Sequence, residues 1–131
     1  MAALTLKEFQ EQVADLLLRH RSLLDVLSKS QQSNASINRA VVKSVTECGC
    51  IRLRADKQDY SADLKLQEAK KLLKTHVEGE LCDSCLEAVT AEIGKNLFYL
   101  SSLCNLLGLE LSDIMDNESK KCSTLGLFNL S

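Results

Sequence analysis

Residues 83–107 read DSCLEAVTAEIGKNLFYLSSLCNLL, and this stretch decides the fold class. Leu86, Val89, Ile93, Leu97, Leu100, Leu103 or Cys104, and Leu107 recur at three- and four-residue steps, the period of an amphipathic helix and not of a strand. Asp83 opens the segment, and Gly108 follows it where a left-handed C′ residue ends a helix. The stripe through Leu97, Leu100 and Leu107 reads first as core and second as a partner surface.

Working outward, Thr5 and Glu8 have the spacing of a capping box. Leu6, Phe9, Val13, Leu16, Leu17, Leu23, Leu24 and Leu27 then predict a first helix over residues 6–30. The polar stretch 31–36 interrupts it and offers Asn34 and Ser36 as N-caps. A second helix over residues 37–47 carries Ile37, Ala40, Val41, Ser44 and Val45. Periodicity is lost between residues 50 and 63, where 55–62 reads as a polar surface loop. Ile51 and Leu53 alternate with Arg52 and Arg54 in an extended piece too short to predict a sheet. Asp63 caps a third helix bearing Leu64, Leu72 and Leu73, with Gly79 beyond its last turn. Ser112 caps a final helix to about residue 121, and Leu125, Leu127, Phe128 and Leu130 form a tail apolar enough to dock. With no proline and 5 glycines, the chain is expected to be all-α, one domain over residues 1–131: an antiparallel four-helix bundle.

Length and charge narrow the function. A chain of 131 residues suits one compact core. Sixteen basic against 18 acidic residues, in no like-charged block, favour neither a nucleic acid nor a membrane surface as partner. No apolar run approaches the roughly 18 residues of a membrane span. Met1 to Gln10 lacks the pattern of a secretory signal, so the expected location is cytoplasmic. In that reducing compartment the 6 cysteines are read for metal or redox chemistry and not as disulfides.

Two close pairs stand out, Cys48-Gly49-Cys50 and Cys82-Asp83-Ser84-Cys85, each at a helix boundary. The N-terminus of the helix after Cys82 favours thiolates through its free amides and dipole. Four thiolates from Cys48, Cys50, Cys82 and Cys85 suit a closed tetrahedral zinc site with no position open to substrate. Such a structural metal ties residues 51–81 into a zinc-tethered excursion and contributes on the order of 10 kcal/mol of folding free energy. The competing readings are thiols packed as small hydrophobes, a redox pair, or an iron–sulfur cluster. His76 is near enough in sequence to replace one ligand, or else ends a helix as a cation. Cys104 and Cys122, without close partners, read as buried fillers.

Glu92-Ile-Gly-Lys-Asn-Leu-Phe-Tyr-Leu100, continuing through Gly108-Leu-Glu-Leu-Ser-Asp-Ile114, resembles the second half of a MazG-type nucleotide pyrophosphohydrolase domain. That family typically reads E-L-G-D-V-L-F-Y-L, a leucine-rich helix, then G-L-D-L-E-D-V. Residues 38–50 are similar, more weakly, to its L-V-E-E-V-G-E segment, and the cysteine pairs are similar to those of a small MazG-like subgroup. The resemblance implies an α-helical bundle that assembles as a homo-oligomer, dimer or tetramer. It also implies a site where E-E-x-x-E and E-x-x-D hold Mg(II) to cleave nucleoside triphosphates. Carried over, the first motif becomes Thr46, Glu47 and Cys50 and the second Glu92 and Lys95, so Glu47 and Glu92 are the catalytic candidates. Magnesium needs a dense set of oxygen ligands, and an ammonium at Lys95 repels a divalent ion.

The leading expectation is therefore a zinc-binding, catalytically degenerate nucleotide- or phosphate-binding module, with Lys43 and Lys95, near Arg39, holding phosphate and Asn96 reading ribose or base. The alternative is an active pyrophosphohydrolase, using Mg(II), that adds Glu78, Glu80, Glu87 or Asp83 to Glu47 and Glu92. A third reading is a helical scaffold whose apolar tail docks a partner. Against Lys95 as a ligand stands the ordinary surface ion pair with Glu92, worth roughly half a kcal/mol.

Overall fold

A computed structural model describes residues 3–16, 22–58 and 74–125. Its elements run α1 (Leu6–Leu16), α2 (Leu23–Lys43), a π-helical turn (Ser44–Cys48), β1 (Ile51–Leu53), β2 (Val77–Gly79), α3 (Asp83–Leu107) and α4 (Leu111–Leu125). The chain is mainly α-helical, with one small antiparallel ribbon pairing Ile51 with Gly79, Arg52 with Glu78 and Leu53 with Val77.

Helix α3 spans the expected residues and stops at Gly108, whose φ of 69° is the left-handed cap read from the sequence. Thr5 caps α1, accepting the Glu8 amide at 3.1 Å and donating its hydroxyl to the Glu8 carboxylate at 3.0 Å. Helix α4 begins at Leu111, one residue before the expected cap, and runs to Leu125. Its start is fixed from outside, because the buried Gln10 carboxamide of α1 accepts the Leu111 amide at 2.8 Å. The same side chain donates to Asn105 at 2.9 Å and to the Leu109 carbonyl at 2.8 Å, tying α1 to the α3–α4 corner.

Three expectations need correction. The first two predicted helices are divided elsewhere: α1 ends at Leu16, and α2 starts at Leu23 and passes without a break through the polar stretch 31–36. With no glycine or proline there, the modest helix penalties of Ser and Asn are overridden once Ser33 is buried against the body. Secondly, residues 51–53 and 77–79 do form a sheet. Gly79, with φ of 90°, lies in that ribbon instead of capping a helix, and His76 stands at the bend before it with φ of 61°. The predicted helix after Asp63 falls mostly outside the described residues, as does most of the apolar tail. Thirdly, the long α3 stripe is not a core stripe. Val89 and Cys104 are buried with Ser101 and Ser102, whereas Leu86, Ile93, Leu97, Leu100 and Leu107 are exposed. Apolar residues surround α3, so the sequence period named the helix without saying which side is covered. Cys122 is also exposed and fills no core.

Helices α2 and α3 pack against each other most extensively and run antiparallel. Asn34 meets Asn96 at one point, while Cys48, just past α2, meets Cys82 at the start of α3. The excursion between them is closed by the ribbon and, further out, by Gln58, whose carboxamide accepts the Lys74 amide at 2.9 Å and donates to the Lys74 carbonyl at 2.6 Å.

Gly79 is required by space as well as by φ, since a Cβ there would lie 2.5 Å from the Cys50 carbonyl oxygen. Gly79→Ala is expected to lower unfolding free energy by about 2–4 kcal/mol. Gly94→Ala, in α3 with nothing within 4 Å of the added methyl, is expected to raise it by up to about 1 kcal/mol. Denaturant unfolding of both variants checks the pair.

Candidate metal centre

Helix α2 widens at its end into a π turn, closed by the Gly49 amide donating to the Ser44 carbonyl at 2.9 Å. Such turns change the direction of the following side chains and frequently accompany functional sites. Gly49 takes φ of 78° with open space around it, which reverses the chain and presents Cys50 on the same side as Cys48. The Cys50 thiol donates to the Ser44 carbonyl at 3.8 Å. On the facing element Cys82 is the N-cap of α3, its sulfur accepting the Cys85 amide at 3.4 Å. The ribbon supports both pairs, since Ile51 follows Cys50 and Gly79 precedes Cys82 by three residues.

The four sulfurs of Cys48, Cys50, Cys82 and Cys85 lie within 4.8 Å of one another, and those of Cys48 and Cys82 are 3.7 Å apart. A tetrahedron with metal–sulfur bonds of about 2.3 Å has edges of about 3.8 Å, so a thiophilic ion fits this cage. An all-sulfur set of this shape favours zinc or another soft metal over magnesium, which takes oxygen ligands. Among the described residues this is the one cluster of His, Cys, Asp and Glu side chains that can hold an ion, and it excludes His76. His76 instead stands 3.3 Å from the Asp56 carboxylate, beside Lys74, and it ends no helix.

The thiols do not share protons evenly. The Cys82 thiol is pulled down to about 7, first by the Cys85 amide and then by the neighbouring Cys85 and Cys48 thiols. For Cys85 the Ser44 hydroxyl pulls down, but Cys82, burial and the other two sulfurs outweigh it and push the thiol up to about 12. Cys48 is also raised: its Cys50 backbone contact lowers it, and the Cys82 thiol, the Cys50 thiol and burial together outweigh that. One thiolate among neighbouring thiols is how a metal-free cage avoids placing several negative charges side by side.

Beside the cage a cleft of about 450 Å³ lies between α2 and α3, lined by Arg39 and Lys43, Glu47 and Glu92, Cys48 and Cys85. Its remaining lining includes Ala40, Ala88 and Ala91, a floor of small apolar side chains. Lys43, Glu47 and Glu92 thus line one cleft. Lys95 is not in this cleft; it lines an adjoining hollow and pairs with Glu92 at 3.5 Å. Asn96 lines neither, its amide donating to Asn34 at 2.7 Å. Glu78, Glu80, Glu87 and Asp83 are absent from the cleft lining, and Glu78 pairs with Arg54 at 3.2 Å. Sequence reasoning passed over Ser44, whose carbonyl and hydroxyl serve two of the cysteines, because a serine in a helical run carries no metal-site signal.

Metal loading displaces protons from the thiols, so apparent affinity rises with pH. Because Cys82 ionises near 7 and Cys85 well above it, binding is expected to release about four protons per ion below pH 6 and about three near pH 8. Competition titration with a chelator across that range measures the slope. Elemental analysis of protein purified without added zinc is expected to give about one ion per chain, reduced by Cys→Ser at each of the four positions. No protein-family model, curated protein or solved structure matches the chain.

Proposed function

We propose that this chain is a zinc-anchored helical binding module in which the tetrathiolate centre holds the end of α2 against the start of α3, and the cleft beside it takes a nucleotide or other phosphorylated ligand without hydrolysing it. The observation carrying this reading is the convergence of the four sulfurs at one end of a cleft that Arg39 and Lys43 line. Guanidinium and ammonium groups supply charge-assisted hydrogen bonds to phosphate oxygens. Glu47 and Glu92 are the only carboxylates lining the cleft among the described residues, and Glu92 is engaged by Lys95 at 3.5 Å. Two carboxylates, one of them partnered by an ammonium, make a poor magnesium cage. The protein would on this reading be a catalytically degenerate relative of the MazG-like family, acting by binding.

The presence of Glu47 and Glu92 in one cleft favours a second reading, an active Mg(II)-dependent nucleoside triphosphate pyrophosphohydrolase. The two differ in one measurement on zinc-loaded protein. Calorimetric titration with nucleoside triphosphates is expected to show binding, while an assay with Mg(II) or Mn(II) releases no pyrophosphate. Release that Glu92→Gln abolishes would establish the hydrolase instead.

The exposed face of α3 supports self-association. Leu86, Ile93, Leu100 and Leu107 fall at seven-residue steps, all exposed, with Leu97 beside them. That spacing makes a straight apolar seam of the kind two helices share, and a second copy offers the same seam by symmetry. The proposed assembly is a homodimer or a dimer of dimers, in the cytoplasm. No single helix among the described residues is long and apolar enough to cross a membrane. Ile93→Glu is expected to shift sedimentation from dimer or tetramer toward monomer, with zinc content unchanged.

A further inference from the structure

Next to the main cleft lies a smaller hollow of about 190 Å³ that shares Ser36 and Glu92 with it and is otherwise lined by groups such as Lys29, Gln32, Ser33 and Lys95. Ser33 lies inside α2 and is only 6% exposed, yet its hydroxyl has no hydrogen-bond partner among the described residues. It does not take the usual escape for a helical serine, donation to the carbonyl four residues back, which Ser36 and Ser44 both take. A buried hydroxyl left unpaired is destabilising; Ser101 shares that state, but of the two only Ser33 lines a hollow, together with Lys29 and Lys95, and that placement points to a ligand oxygen.

The charges divide the two spaces. In the cleft Arg39 and Lys43 are matched by Glu47 and Glu92, two charges of each sign. At the other end Lys29 makes a 3.5 Å contact with neutral Gln32, and Glu92 offsets one of the two lysines. The excess positive charge of the lining therefore sits in the hollow, away from the sulfurs.

We infer that the hollow is the anion subsite of the cleft: Lys29, Lys95 and the Ser33 hydroxyl hold the phosphate of a nucleoside monophosphate-like ligand, whose planar ring lies on the Ala40, Ala88 and Ala91 floor. This rests on the cleft being a binding site, and it reverses the orientation that Lys43 alone would suggest. Phosphate matches the donor set because its oxygens can meet two ammonium groups and a hydroxyl at once. The short apolar side chains of Ala40, Ala88 and Ala91 suit a ring better than a second charged group. Glu92, lining both spaces, competes with the ligand for Lys95.

Titration of zinc-loaded full chain with adenosine 5′-monophosphate and with adenosine tests the assignment. The monophosphate is expected to bind at least about tenfold more tightly than the nucleoside. Ser33→Ala should weaken the monophosphate about tenfold and adenosine less than twofold, and should raise the melting temperature because an unpaired buried hydroxyl is removed. Lys95→Met should weaken the monophosphate similarly, and Glu92→Gln should tighten it. Equal binding of the two probes, or loss of monophosphate binding in Lys43→Met but not in Ser33→Ala or Lys95→Met, overturns the subsite and leaves the cleft reading standing. No binding of either probe overturns both.

Discussion

At one end of the α2–α3 pair, four sulfur atoms are drawn to within 4.8 Å of each other from sites 34 residues apart along the chain. Bringing such distant points together carries an entropy cost that packing must otherwise meet; a cross-link over that span removes roughly 4 kcal/mol of unfolded-chain freedom. The described part of the protein core supplies little of that. Its buried apolar residues among those described are Val13, Val26, Ile51, Val89 and Cys104, none larger than isoleucine. A bound ion at the cage is therefore a natural substitute for hydrophobic burial, as it is in other small domains.

The cage and the cleft share one helix pair. Helices joined by a large core close on each other, whereas α2 and α3 are clamped at one end by the cage and linked further along by Asn34 and Asn96. Between these two points the side chains lining the gap include Ala40, Ala88 and Ala91, too short to fill it. On the same helix pair, leucines lie exposed along α3. A second copy packed on that seam would take them out of water.

The helical character, the bounds of α3, its Gly108 cap and the Thr5–Glu8 cap were all legible, because each rests on local spacing. The cysteine pairs were legible for a similar reason: the residue type is unusual and each pair is close in sequence. What could not be read was tertiary. The ribbon at 51–53 and 77–79 pairs two three-residue strands across a long excursion, which no local pattern announces. The polar stretch 31–36 looks like a break until Ser33 is seen to be buried. The covered side of α3 depends on which neighbours arrive, and buried serines at 101 and 102 defeat any count of leucines. Asn96 was assigned to a ligand when its amide belongs to Asn34, a contact between residues 62 apart in sequence.

The π turn fixes the length of chain that carries Cys48 from α2 to the cage. Removing one residue from Ser44–Cys48 would rotate the chain beyond it by about 100° and swing Cys48 away from Cys82. The gain or loss of a single residue in the turn before Gly49 would therefore part the two halves of the cage, although both cysteine pairs stayed intact in sequence.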